Sequence, residues 1–291
     1  MAKEVMVYQA NPLIERRWDF SLIEARLFYI GLKDLMPRLT DKVKPWEEMT
    51  VKDFPTTRLK PHEITEMFGN DKYYSTLEDI CVKLAGKTVK IRRENGKGFS
   101  AYPVFLKLDY VPGEGLTLIF NPCMLPWLLD LAGKSFTKIP FEQIWALRSQ
   151  YSIRLFELLL QYQNTKDHQR TICIEDLREC LGVPLGTYTA MDNFRRRVID
   201  SSIKDINENT KFKVEYENVK EGRKIVAFKF KLHLPADIKR EKRKKQIADI
   251  GKLTKEVLTA SKKGKTSEVQ PVGDYDEPVI IDKKTGKVVS K

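Results

Sequence analysis

Three consecutive arginines and a nearby asparagine sit where a helix could carry them into a nucleic-acid groove. Between residues 191 and 207, Met191, Phe194, Val198, Ser202 and Ile206 recur at steps of three and four. Wound at 3.6 residues per turn, they share one side with Ile199 beside them. Asn193, Arg196, Arg197, Asp200 and Lys204 then occupy the opposite side. Arginine can grip guanine O6 and N7 with two donors, and asparagine can do the same for adenine. Thr189 is placed to cap the start of this helix. Arg195 falls nearer the apolar side, which predicts an internal pairing or a phosphate contact from the flank. Further on, Arg223 and Lys224 flank a hairpin turn and suit phosphate contacts, which position a protein on DNA without reading sequence.

These side chains need a scaffold, and the chain spells it twice. Asp176 to Gly182 reads as a short helix stopped by glycine, followed by the helix above and an alternating run from Phe212. Phe212, Val214 and Tyr216 face Val226, Phe228, Phe230 and Leu232 across a turn at Lys220-Glu221-Gly222-Arg223. Upstream, Ile64 to Gly69 is again a short helix, and Leu77, Ile80 and Leu84 mark a longer one from Tyr73. Strands follow at Val89–Arg93, Phe99–Tyr110 and Leu116–Phe120, with hairpin turns at Asn95-Gly96 and Pro112–Gly115. Helix, turn, longer helix and hairpin is the order of a helix-turn-helix with a wing. The fold class expected is α+β, two tandem winged-helix domains with β-hairpin wings and a basic C-terminal tail.

A helix opening at the capping-box residues Ser21-Leu22-Ile23-Glu24 and running to about Leu35 precedes the first copy. Thr50–Phe54 reads as a short strand, Leu125–Leu131 as a short helix and Ser135–Pro140 as a linker. One long helix is expected over Phe141–Gln163, with Ile144, Leu147, Tyr151, Leu155, Leu158 and Tyr162 on its core face. The expected domains are 1–137, 138–235 and a tail 236–291. In the first, Arg92, Arg93 and Lys97 beside the hairpin are the expected DNA contacts, because its long helix carries Glu78 and Asp79 with Lys83 its only base.

Lys plus Arg number 52 against 40 Asp plus Glu, a net charge of +12 that points to a polyanionic partner. Residues 236–265 add 11 Lys/Arg against four acids, and disorder is expected from Ser261 onward. No apolar run reaches the ~20 residues of a membrane span, so a cytoplasmic protein without membrane contact is expected. Cys81, Cys123, Cys173 and Cys180 form no Cys-x-x-Cys pair, and His62, His168 and His233 lie far apart, so no metal site is expected. Gly86-Lys87-Thr88, Gly133-Lys134-Ser135 and Gly264-Lys265-Thr266 resemble phosphate-binding loops. Each lacks the first glycine, having Cys81, Leu128 and Thr259 in its place. No enzyme activity and no cofactor are expected.

The run Gln150-Tyr151-Ser152-Ile153-Arg154-Leu155-Phe156-Glu157-Leu158-Leu159 resembles the S-x-Y-x-x-R-L-Y-E-L-L signature of iteron-type plasmid replication initiators. Phe194 to Asn207 is similar to that family's F-x-x-R-V-I…E-I-N segment, with Asp205 where glutamate is usual. Tyr216…Gly222-Arg223-Lys224…Phe228 resembles its wing, and Asn11-Pro12-Leu13-Ile14 its N-terminal N-x-L-I. The resemblance spans about residues 11–234. It implies a C-terminal domain that reads tandem repeats in double-stranded origin DNA. It implies an N-terminal domain that contacts neighbouring DNA backbone in monomers and forms the interface in homodimers. Monomers in equilibrium with dimers would open the origin and recruit the host replication initiator and replicative helicase; dimers would repress the initiator's own promoter. The alternatives are a winged-helix transcriptional regulator without replication activity, and a scaffolding protein.

Overall fold

The computed structural model describes residues 4–15, 17, 19–38, 48, 50, 53–68, 74–92, 98–128, 135–236, 238, 240, 280–281 and 288–289. The chain divides into two compact units, Met1–Leu234 and Pro235–Lys291.

The first unit opens with β1 (Met6–Ala10), α1 (Asn11–Ile14) and α2 (Leu22–Leu35). The capping box forms: Ser21 N–H donates to Glu24 Oε2 at 2.7 Å and Glu24 N–H to Ser21 Oγ at 3.4 Å. Next come β2 (Thr56–Leu59), α3 (Pro61–Phe68), α4 (Tyr74–Ala85) and the hairpin β3 (Thr88–Arg92) and β4 (Phe99–Pro103). β5 (Phe105–Val111) and β6 (Gly115–Phe120) join β2 in an antiparallel sheet of order β2-β6-β5. α2 lies close on this sheet. A Cβ on Gly31 would stand 2.6 Å from the ring of Phe120, so only glycine allows the approach.

α5 (Leu125–Leu128), β7 (Phe136–Pro140) and α6 (Phe141–Trp145) lead to the second half. That half holds α7 (Gln150–Leu160), β8 (Gln169–Cys173) and α8 (Ile174–Cys180). A continuous rod follows: α9 (Met191–Phe194), a π-helical stretch Arg195–Asp200, and α10 (Ser201–Asn209). β9 (Lys213–Glu221) and β10 (Lys224–His233) close the unit in a sheet of order β8-β10-β9. Each half therefore runs helix, strand, helix, longer helix and hairpin, the winged-helix order expected.

Several local expectations are corrected. The presumed linker 135–140 contains β7, paired antiparallel with β1 from Met6↔Pro140 to Ala10↔Phe136. Its Thr137 and Ile139 point inward, and Thr137 Oγ1 donates to Asn11 Oδ1 at 2.7 Å. The presumed strand 99–110 is two strands. Pro103 has no N–H for a ladder, and Val104 crosses between sheets, its N–H donating to Lys87 O and its carbonyl accepting from Asn121 N, both at 3.0 Å. Of the strand placed at 50–54, residues 51–52 lie outside the described residues; Asp53 Oδ2 accepts from Thr50 N at 2.9 Å, and the strand that follows is β2, starting at Thr56.

The long helix expected over 141–163 breaks into α6 and α7. Ser149 caps α7 through its Oγ, which accepts from Tyr151 N at 3.2 Å, and Arg148 N–H donates to Asp205 Oδ2 at 2.9 Å. α7 is also buried all round from Ser152 to Leu160, not on one stripe. One face packs toward α10 and β10, with Phe156 edge-on to Phe212 at 5.1 Å. From the same helix Glu157 accepts a hydrogen bond from Tyr29 of α2, and Arg154 reaches the carbonyl of Ile14 in α1 at 2.5 Å. Arg154 also pairs with Glu157 and donates to Cys180 O of α8 at 3.2 Å. Burial raises the Glu157 carboxyl above its ordinary value against the opposing pull of Arg154. It pushes the Tyr29 phenol up as well. Arg154 and Glu157, the charged residues of the signature run, thus tie the two halves together from inside a shared core.

Of the second unit, the described strands β11 (Ile280–Ile281) and β12 (Val288–Val289) form an antiparallel pair within the stretch expected to be disordered. The basic run 236–265 lies almost wholly outside the described residues.

Candidate nucleic-acid interface

The turn leading into the 191–209 rod is held rigidly. Thr187 N–H closes on Pro184 O at 3.1 Å, and Gly182 and Gly186 supply backbone at φ +67° and +78°. The Arg178 guanidinium donates to the carbonyls of Thr187 and Tyr188 and lies 4.1 Å over the Phe194 ring. Thr189 is exposed but does not cap: the N-cap is Ala190, which makes no side-chain cap bond. A turn fixed by Arg178 leaves Thr189 one residue too early for that role.

Phe194, Val198, Ile199, Ser202 and Ile206 are buried, while Asn193, Arg196, Arg197, Asp200 and Lys204 are exposed, the division that periodicity predicts. The π-helical stretch was not legible in that pattern. Its wider turn fits one more residue than an α turn, and across it the α-helical division is kept: Val198 and Ile199 are fully buried, and Arg196 and Arg197 are both exposed. Arg196 Nη2 donates to Asn193 Oδ1 at 3.4 Å, and Lys204 lies 3.8 Å from Glu208. Arg195 is half-buried and pairs internally with Asp192 at 3.5 Å.

Three clips fix the rod, none of them singled out by sequence reasoning. Asp205 accepts from Arg148 N and from Asn209 Nδ2 at 2.8 Å. Asn207 grips the edge of β9, its Nδ2 donating to Val214 O at 2.9 Å and its Oδ1 accepting from Val214 N at 2.6 Å. Tyr216 of β9 donates its hydroxyl to Asp200 Oδ1 at 2.6 Å. Asp200 and Asn207 therefore tie the rod to β9 of the hairpin.

In the wing, β9 and β10 pair with a bulge at Val226, and Gly222 turns the chain at φ +61°. Arg223 and Lys224 are exposed at the tip. Along the strands the cations are answered: Lys231 and His233 lie 3.5 and 3.0 Å from Glu215 Oε1, and Lys229 is opposite Glu217. The hydrogen bond from His233 is the main cause holding the Glu215 carboxyl below its ordinary range. Among the described residues, Arg223 and Lys224 at the tip make no ion pair.

In the first half, Arg92 ends β3, and Arg93 and Lys97 lie outside the described residues. Beside β3 is an open cleft of about 630 Å³ lined by Arg17, Lys83, Lys87, Lys90, Asp19 and Glu179. Lys87 Nζ is tied to Asp19 Oδ1 at 3.0 Å, and Lys90 lies 3.9 Å over the exposed Phe99 ring. The spacing of Lys83, Lys87 and Lys90 across the end of α4 was the available signal for this basic patch. Among the described residues no group of three His, Cys, Asp or Glu could hold a metal ion, and no helix is long and apolar enough to cross a membrane. All four cysteines are free thiols.

Two helix-turn-helix units, each followed by a hairpin, with an exposed arginine-bearing helix in the second, define a tandem winged-helix DNA-binding protein. The family described as "Initiator Replication protein, WH1" matches residues 6–160, and "Initiator Rep protein, WH2" matches residues 174–232. The chain belongs to this family of replication initiators. A "Replication initiation protein" of Escherichia coli is 26% identical over 237 residues, covering 79% of this chain and 70% of that relative. The "Crystal structure of Pi initiator protein in complex with iteron DNA" shares the fold, with a TM-score of 0.62 at 22% identity, covering 80% of this chain and 99% of that one.

Proposed function

We propose that this protein starts plasmid replication by seating the 191–209 rod in the major groove of repeated sequences at the origin. Asn193, Arg196 and Arg197 would contact base edges, Thr189 and Lys204 the groove margins, and Arg223 and Lys224 the phosphates beside it. The observation that carries this reading is the paired exposure of Arg196 and Arg197 on a rod clipped to its own wing. Arg92, Arg93 and Lys97 would contact neighbouring backbone from the first half, and residues 1–137 would carry dimer formation. Monomers would open the origin in the cytoplasm and recruit the host initiator and helicase; dimers would silence the gene's own promoter.

The test is genetic and biochemical together. A DNA circle carrying this gene and its flanks, with no other origin, should replicate, and the purified protein should shift the flanking repeats in a gel. A protein that shifts the flanks but never supports replication would be a transcriptional regulator instead.

A further inference from the structure

Asp200 is out of place on a surface built to meet DNA. It is an exposed carboxylate three and four residues beyond Arg197 and Arg196, and, unlike Glu208, it is not paired with Lys204. Phosphates repel it, so a merely solvated acid here would weaken binding to any sequence. Yet it is anchored. The Tyr216 hydroxyl donates to its Oδ1 at 2.6 Å, and the Tyr216 ring is itself wedged edge-on to Phe228 at 5.2 Å and tilted on Phe230 at 5.9 Å. Burial, then the bond to Asp200, push the phenol up, so Tyr216 is the donor at any physiological pH. One carboxylate oxygen is occupied, and Oδ2 remains to accept.

We propose that Asp200, positioned by Tyr216, is a sequence-determining residue that accepts a hydrogen bond from the amino group of one base in the repeat, cytosine N4 foremost and adenine N6 second. This inference rests on the proposed seating of the rod in the major groove. A carboxylate is acceptor-only. It favours the amino-bearing edges of cytosine and adenine and is repelled by guanine O6 and thymine O4 at the same place. Its charge also opposes indiscriminate phosphate binding, so it rejects wrong sites as well as favouring the right one. Tyr216 contributes by holding the carboxylate in one rotamer. It is a positioning residue whose effect on DNA passes through Asp200.

The experiment uses the full-length protein and a pool of duplexes randomised over about two helical turns, sequenced before and after retention. The wild-type pool should show one position where cytosine or adenine exceeds guanine and thymine about tenfold or more. In Asp200→Asn and Asp200→Ala that preference should collapse to within about threefold, or move to adenine in the asparagine variant, while preferences at other positions persist. Tyr216→Phe, which keeps the ring contacts, should soften discrimination at that same position and no other, with the melting midpoint of the protein little changed. A retained preference in both Asp200 variants, uniform weakening across all sequences, or a Tyr216→Phe effect at a different position would overturn the inference alone. A wild-type protein that retains every duplex equally would overturn the groove-reading function, and this inference with it.

Discussion

Arg154→Met should destabilise the whole first unit, not just the half that contains it. The side chain is 7% exposed and meets Glu157, Ile14 O and Cys180 O, joining α1, α7 and α8. Methionine fills most of the volume but leaves the Glu157 carboxylate buried with Tyr29 as its partner. Breaking a buried pair from one side costs about 3–5 kcal/mol. For a domain of this size each kcal/mol moves the melting midpoint by about 2–4 °C, giving a fall of roughly 6–20 °C.

The pH dependence is the sharper test. Glu157 is already raised by desolvation, with Arg154 the main opposing influence, so the variant's carboxyl should be raised further. A carboxyl whose folded value exceeds its unfolded value near 4.3 penalises folding fully above the folded value, and the penalty fades as pH falls toward the unfolded one. The gap between variant and wild type should therefore be widest above the variant's raised value and narrow on acidification toward the wild type's. Calorimetry of both proteins from neutral to mildly acidic pH measures it. A midpoint within about 2 °C of wild type at neutral pH, under a kcal/mol on the same scale, or a gap that widens with acid, would refute the account of the junction.

Arg196→Ala and Arg197→Ala should each weaken binding to the repeat by about 1–3 kcal/mol, with thermal stability unchanged because both side chains are exposed. Equal loss on scrambled DNA would reduce them to phosphate contacts. Arg223→Ala with Lys224→Ala should lower affinity evenly across sequences and cut the slope of log K against log salt by up to about two, since each lost phosphate contact removes about 0.9; an unchanged slope would turn the wing away from DNA. Asn207→Ala strands the N–H and carbonyl of buried Val214 and should cost about 1–3 kcal/mol in denaturant titrations, a loss that Asn207→Asp should only partly reproduce because it keeps the acceptor but not the donor.

The parts legible from sequence were those whose causes are local. The Ser21 capping box, the Gly222 turn and the burial alternation of the rod are written within a few residues of where they act. What escaped has distant causes. β7 looked like a linker because its partner, β1, lies some 130 residues upstream by register. The break before Ser149 depends on a carboxylate from Asp205, far along the chain. α7 showed an apolar stripe, but Leu, Ile and Phe on its other sides, with Arg154 and Glu157 paired, let a second half cover it. The π-helical stretch adds one residue to a turn without changing composition, so period-counting passes over it. In the site, the exposure of Asn193, Arg196, Arg197 and Lys204 followed from spacing, whereas the bonds made by Asp200, Asp205 and Asn207 were visible only once β9 and the turn before α7 were in place.

The shared α7 also makes the first unit a ruler. Two halves joined by a loose tether could adjust to almost any gap between two DNA footprints. Here one helix is core to both, with an ion pair inside it, so if both halves contact DNA as proposed, the span and the rotation between their footprints are set by protein geometry. Each base pair added between two footprints turns the second by about 34–36° around the duplex axis. A single inserted pair would already move it off the face the protein presents. A repeat read by both halves should thus tolerate base changes better than changes in length.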